Sequence, residues 1–391
     1  MISMTIKRAW PFFYAAMLIG MVGGLNLITT DDRQYSRLAA SLLEGKLYLL
    51  PRPLNNWADT APFGGYLYSA LGPLPALLML PLAWMGNVHP GQLSLVVTLA
   101  VFYLCFRLAG KFNYSYNDAS WLALAFCFGT SFVGAAALAT SNHFAHVLAV
   151  MFLFAAINEY EGRCRLLIIG GLIGLALATR PPAGLNIICF VLLVLLGSAP
   201  AQKRMADLAK LVLPFAAVLG VLALYNYARF GNPLESGYGY QVNGMGLPYA
   251  NWNVPGNRAG PPFSLSNIPS HLWIFLFGLP SSAGVGTSVL LMSPHLVYLC
   301  SVSRWDLTNK VIVVNVAIVL IAVLAFRSTG FEQVGYRFSL DFLPFVFWLL
   351  MRSRIQVTSG FKRLVFIATV IDMCLTVFHL ATGVDRRNGM L

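Results

Sequence analysis

Asp31 and Asp32 stand side by side at the end of the first apolar stretch of this chain. An aspartate there can cap a helix running from about Gln34 to Leu43, which explains one of the two acids more readily than both. Carboxylates held close together and partly out of water can have one pKa raised, which suits a general base that takes a proton from a hydroxyl. Much later, Tyr238, Tyr240, Tyr249, Trp252 and Arg258 mix aromatic and polar side chains in one long loop. Such a set can stack on a sugar ring or, equally, form an aromatic belt at a membrane surface. Asp341 follows Arg337 by one helical turn, a spacing at which the two can pair. Asp372 lies alone in an apolar run, where a carboxylate must face protein or water, as a structural partner or as a catalyst.

The elements that must position these residues are membrane helices. Of 391 residues, 58% are hydrophobic and 10% charged, and the mean hydropathy is +0.71. This composition excludes a water-soluble globule, a disordered chain and a disulfide scaffold, because apolar runs of roughly 20 residues recur along the whole length. The runs are continuous and rich in Leu and Ala, with no period-two alternation, so they read as helices and not as a β-barrel. The net charge of +12 comes from short basic clusters between the runs, which fits topology signals and not nucleic-acid binding. Cys105, Cys127, Cys164, Cys189, Cys300 and Cys374 are scattered singly, as core residues and not as a metal site. The expected fold is all-α, one integral membrane domain over residues 1–391, with a first helix that is retained and not cleaved.

The apolar runs fall at about residues 9–29, 66–86, 92–110, 120–138, 144–160, 166–179, 184–199, 209–228, 284–302, 308–327, 338–351 and 364–382. Two longer polar stretches interrupt them: a first loop at 30–65 and a second at 229–283. Basic clusters at Lys7, Lys111, Arg163, Lys203, Arg304 and Arg352 are assigned to the cytoplasm, which puts both loops outside. Parity then requires that one run between residue 65 and Lys111 not cross fully. The run at 66–86 carries Gly72, Pro73, Pro75 and Pro81 and is the expected broken or re-entrant segment, which leaves about eleven crossings. Residues 34–50 place Tyr35, Leu38, Leu42 and Leu43 on one face of an amphipathic interfacial helix within the first loop. With this topology Thr140–His143, Thr179–Pro182, the loop at 229–283 and residues 331–337 all meet the first loop on one face. No internal repeat or Walker motif points to a driven transporter.

The acidic pair after the first helix, followed by Tyr35, Ala39, Gly45 and the stretch from Gly65 to Pro73, resembles the GT-C superfamily of membrane glycosyltransferases. The similarity is greatest to the branch of protein O-mannosyltransferases and lipid A aminoarabinose transferases. Ala178-Thr179-Arg180-Pro181 is similar to a Thr-Arg-Pro turn of that branch, Asn226 to Pro233 to the start of its later loop, and Gly335 to Pro344 to a late motif. Asp32 departs from the Glu often found as the second acid, which leaves either Asp31 or Asp32 as the base.

The resemblance implies transfer of a sugar from a polyprenyl-phosphate or polyprenyl-diphosphate donor to a lipid, glycan or protein acceptor on the outer side of the cytoplasmic membrane, usually with inversion. A phosphate leaving group gains charge as the anomeric bond breaks, and fixed cations in a low-dielectric site stabilise it. Arg180 and Arg337, each at an outer helix end, suit that role through bidentate contacts; snorkelling to the interface is the plain alternative. His143 could contact the phosphate or serve as a helix-end residue bonded to a carbonyl. Tyr35, Asp59 and Tyr66 are placed with the substrate by the same resemblance, beside Tyr238, Tyr240, Trp252 and Arg258. No cofactor is implied, and Ala139 to His143, where some relatives carry metal-binding acids, has none, so metal-independent transfer is expected. A flippase for lipid-linked sugars and a noncatalytic assembly subunit are the rival readings.

Overall fold

The computed structural model describes residues 2–28, 34–49, 59–86, 90–138, 140–241, 262–279, 288–330 and 333–388. The chain begins with α1 (Ile2–Ile28), α2 (Gln34–Leu43), a hairpin of β1 (Thr60–Phe63) and β2 (Tyr66–Ser69), and α3 (Leu74–Trp84). A central series follows: α4 (Pro90–Lys111), α5 (Tyr116–Phe128), α6 (Phe132–Ala137), α7 (Ser141–Tyr160), α8 (Leu166–Thr179), α9 (Pro181–Gly184), α10 (Ile187–Leu195) and α11 (Ala201–Phe230). The last part holds α12 (Ile268–Phe277), α13 (Val289–Met292), α14 (Leu307–Ala325), α15 (Leu343–Arg352) and α16 (Ser359–Asn388). Among the described residues α4, α7, α11, α14 and the part of α16 up to Ala381 are long and apolar enough to cross a bilayer unaided. The protein is a multi-pass, all-α membrane protein.

The expected interruption at 66–86 is present: Tyr66–Ser69 is a strand, Ala70–Pro73 is not helical, and only Leu74–Trp84 coils. Strand pairing sets Phe63 against Tyr66 across a Gly64–Gly65 turn with both glycines at positive φ, the backbone that a two-residue hairpin demands. Three expected single helices are broken. The run at 120–138 parts at Gly129–Ser131, and that at 338–351 begins with a 3₁₀ turn, Arg337–Asp341. The run at 284–302 becomes α13 and a 3₁₀ stretch, Pro294–Ser301, because Pro294 lacks a donor. The polar stretch at 229–283 in turn contains the apolar helix α12. On α2 the buried face is Gln34, Tyr35, Leu38, Ala39 and Ser41, while Leu43 is exposed, contrary to its expected place on the apolar face.

Aromatic packing fills the centre. Phe126 meets Phe154 and Phe347 edge-on at 4.6 and 5.0 Å, and Trp348 is fully enclosed. The α8 and α11 backbones touch because Gly170 faces Leu211: a Cβ at Gly170 would lie 1.9 Å from the Leu211 carbonyl oxygen. Close approach through small residues is how helices associate where lipid offers no hydrophobic drive. At Gly72 a Cβ would lie 2.3 Å from the Ala178 carbonyl oxygen. The non-helical link before α3 is thereby pressed against the end of α8, one residue short of Arg180.

The two ends of the bundle differ. At the C-terminal ends of α7 and α15, Arg352 bridges Glu161 and Asp306 at 3.1 and 3.0 Å, Trp348 donates to Glu161, and Lys362 pairs with Asp118. Asp306 also caps α14, accepting from the Asn309 N–H at 3.0 Å. The other end, about 30 Å away along the 20 residues of α7, carries the residues expected to bind substrate.

Candidate active site

Arg180 follows the last residue of α8, whose helix stops there because Pro181 and Pro182 follow. Its Nε and Nη2 donate to the two carboxylate oxygens of Asp341 at 3.0 and 2.9 Å, a bidentate pair with side chains 13% and 1% exposed. This corrects the expected pairing of Asp341 with Arg337: the 3₁₀ turn Arg337–Asp341 rotates residues differently from an α-helix and carries the carboxylate to Arg180. Asn186 donates to the Asp341 carbonyl at 2.8 Å, and Asn315 donates to the Asn186 side-chain oxygen at 2.8 Å. This ladder of buried amides fixes Asp341, which in turn fixes the plane of Arg180.

Arg337 is 8% exposed, and its Nη1 lies 3.2 Å from His143 Nε2. His143 Nδ1 in turn bonds the Thr140 hydroxyl, so the imidazole is oriented from both sides. Phe338 ties the two arginines together, with the guanidinium carbons of Arg180 and Arg337 lying 5.2 and 5.5 Å from its ring centre. On the same ring His146 stacks at 5.7 Å with planes 19° apart. Tyr238 is beside Arg180: burial pushes its phenol above the usual value and the Arg180 charge draws it part of the way back. Burial opposes the Arg180 charge, and Asp341 more than offsets it, so its pKa is raised. The result is a largely enclosed group of cations, with fixed donors where little water screens them.

A second set of bonds closes this end of the bundle. Asp59 accepts from Asn142 at 2.6 Å and from Gln241 at 2.9 Å, and Arg327 donates to the Gln241 oxygen at 2.7 Å. The first loop, the start of α7, the segment after α11 and the end of α14 are thus held together. Arg229 donates to the carbonyls of Ser69 and Ser236 and lies 4.0 Å over the Tyr225 ring, which ties the hairpin to α11. Among the described residues no group of three His, Cys, Asp or Glu stands close enough to hold a metal ion.

No family model matches the sequence, and no curated protein matches it closely enough to count. The structure does match a crystal structure of ArnT from Cupriavidus metallidurans bound to undecaprenyl phosphate, with a TM-score of 0.50 and 11% identity. The match covers 90% of this chain and 61% of that one. The chain shares that fold. The chain spans about three fifths of the length of ArnT.

On this frame the sequence-derived residues fall into three groups. Arg180, Arg337, His143 and Tyr238 come together; Tyr35 is buried nearby, within electrostatic reach of Arg180, its N–H bonded to Ser141 Oγ at 3.1 Å. Asp59 belongs to the adjoining latch. Tyr66 stacks on Tyr48 at 4.3 Å at the hairpin tip, and Tyr240 packs on Phe63 at 4.9 Å, both on the aromatic hairpin and not on the arginines. Asp31, Asp32, Trp252 and Arg258 lie outside the described residues. Sequence reasoning missed His146, Phe338, Asn186, Asn315, Gln241 and Arg327. His146 had a signal, since it follows His143 by one turn on α7, and the two asparagines had one as polar residues inside apolar runs.

Proposed function

We propose that the protein is a membrane glycosyltransferase that moves a sugar from a polyprenyl-phosphate-linked donor to an acceptor at the outer face of the cytoplasmic membrane, with inversion. The observation that carries this reading is the convergence of Arg180 and Arg337 on Phe338, from segments 157 residues apart (337 − 180), at the end of the bundle opposite the Arg352–Glu161–Asp306 network. Two guanidinium groups in an enclosed site suit a phosphate whose charge grows during the reaction. The basic residues at the far end, Lys111, Arg165, Arg304, Arg352 and Lys362, favour a cytoplasmic location for that end and an outer location for the site.

In this mechanism an acceptor hydroxyl oxygen attacks the anomeric carbon while the bond to the lipid phosphate breaks. The hydroxyl proton passes to Asp31 or Asp32, and Arg180 and Arg337 hold the departing phosphate. His143 orients Arg337, Asp341 orients Arg180, and the Asp59 latch holds the segment that carries Tyr238 beside Arg180. The bound undecaprenyl phosphate in ArnT supports a polyprenyl-phosphate donor here. Non-helical backbone at Ala70–Pro73, packed against the end of α8, suits the place where a polyprenyl chain would lie.

Turnover in proteoliposomes with a panel of polyprenyl-phosphate sugars and acceptors tests the reading, with Asp31→Asn and Asp32→Asn beside the unaltered protein. Transfer lost in one of these while donor binding persists is the expected result. Donor translocation with no transfer, unchanged by either substitution, would establish a flippase in its place.

A further inference from the structure

His146, like His295 and Asp372, is a polar side chain enclosed without a partner among the described residues, and of these it is the one that lies against Phe338. It is fully buried, yet among the described residues neither ring nitrogen has a hydrogen-bond partner. Burying such a group unbonded is unfavourable, and each such orphan calls for an explanation, a ligand that supplies the missing acceptor among them. The surroundings of His146 indicate which explanation applies. The ring stacks on Phe338, the residue that also contacts Arg180 and Arg337, and it lies within electrostatic reach of both arginines and of His143. A second orphan adjoins it: the Tyr336 hydroxyl is buried without a partner, and the Tyr336 ring packs edge-on against Phe338 at 5.9 Å. Both orphans therefore flank one aromatic side chain, carried on a 3₁₀ turn just after Gly335 at φ +72. Short 3₁₀ turns with poorer internal bonds are places where a chain can shift at low cost.

We propose that His146 is a ligand of the donor phosphate: when the lipid phosphate enters, Phe338 turns aside and the imidazole N–H donates to a phosphate oxygen, beside the guanidinium groups of Arg180 and Arg337. This rests on the donor reading above and adds a residue and a moving part to it. In this arrangement the imidazole lies under Phe338 with no acceptor from the described residues, and the anion supplies one. Stability is given up in the free protein and recovered as affinity in the complex.

His146→Phe keeps an aromatic ring against Phe338 and removes both orphan nitrogens; His146→Gln keeps a donor. Binding of undecaprenyl phosphate to each protein in nanodiscs, with thermal melting of the same samples, tests the proposal. Expected for His146→Phe is a melting temperature equal to or above that of the unaltered protein, together with affinity lower by about tenfold or more, as for a lost bond to a charged group. His146→Gln should recover part of that loss. If the unaltered protein binds and both variants bind as tightly, the role of His146 is overturned and the donor reading stands. If His146→Phe fails to fold, His146→Leu, which also removes the donor, takes its place, and equal binding by a folded His146→Leu overturns the role of His146. If the unaltered protein does not bind undecaprenyl phosphate, the donor reading falls and this role with it.

Discussion

Removing the carboxylate of Asp341 should expose how much of this end of the bundle depends on one ion pair. The pair has two N–H···O bonds of 3.0 and 2.9 Å, with the carboxylate side 1% exposed and the guanidinium side 13%. Two charge-assisted bonds at roughly 1.5–3 kcal/mol each give about 3–6 kcal/mol, and partial rehydration through the open edge of Arg180 brings the expected cost of Asp341→Leu to about 3–4 kcal/mol. Arg180→Met leaves the more deeply buried partner uncompensated and should cost at least as much. Replacing both, as Arg180→Met with Asp341→Leu, removes the desolvated charges together and should cost no more than about 2 kcal/mol. The coupling in this cycle is then at least about 4 kcal/mol, read from denaturant unfolding of the four proteins in one detergent. A coupling below about 1 kcal/mol, with the two single costs adding, would refute the idea that Asp341 is there to hold Arg180. The double variant has a further use: it should fold and yet bind no undecaprenyl phosphate, which separates stability from donor recognition.

Other expectations follow from the same geometry. Asn186→Leu strips a donor from the Asp341 carbonyl and orphans Asn315, at about 2 kcal/mol or more, whereas Asn315→Leu loses one bond and also removes an already unpaired oxygen, at about 1 kcal/mol or less; the reverse order in thermal unfolding would contradict the ladder. Gly170→Ala would force its Cβ to 1.9 Å from the Leu211 carbonyl oxygen and should separate α8 from α11, at more than about 3 kcal/mol, while Gly220→Ala in open space should be neutral or stabilising by up to about 1 kcal/mol. Comparable yields of both alanine variants on size exclusion would argue against that helix contact. Burial works to raise the Asp306 carboxyl, but the Asn309 N–H and the Arg352 and Arg304 charges outweigh it, and its pKa is lowered. Its stabilising contribution is present above the unfolded value of about 3.9 and is lost as pH falls through the lower folded value. Asp306→Asn should therefore melt below the unaltered protein at pH 6, and the gap should narrow as the pH falls below about 3.9; a gap that stays constant would exclude this linkage.

The helical membrane class was legible because apolar runs with basic flanks are a local signal, and the interruption at 66–86 was legible because Pro and Gly act locally. The placement of Arg180, Arg337 and His143 at one end of the bundle was legible for a related reason: polar residues at the ends of apolar helices stand out against their neighbours. The partner of Asp341 was not legible. An i, i+4 rule holds only for an α-helix, and the chain there is 3₁₀, a choice made by packing around Phe338 and not by residues 337–341 alone. The hairpin at 60–69 carried a readable mark, Gly64-Gly65 between alternating residues, that the apolar character of the following run obscured. Asp59, Gln241 and Arg327 form their latch over separations of 182 and 86 residues, and no local pattern announces contacts of that kind.

The central claim is that Arg180 and Arg337 hold a lipid-linked phosphate. A cryo-EM structure of the protein in nanodiscs with undecaprenyl phosphate tests it most directly. Phosphate density within about 3 Å of both guanidinium groups, with the polyprenyl chain leaving toward Ala70–Pro73, is the expected result. Phosphate at the Arg352 end of the bundle, or an arginine pair unaltered at saturating lipid with no density beside it, would contradict it.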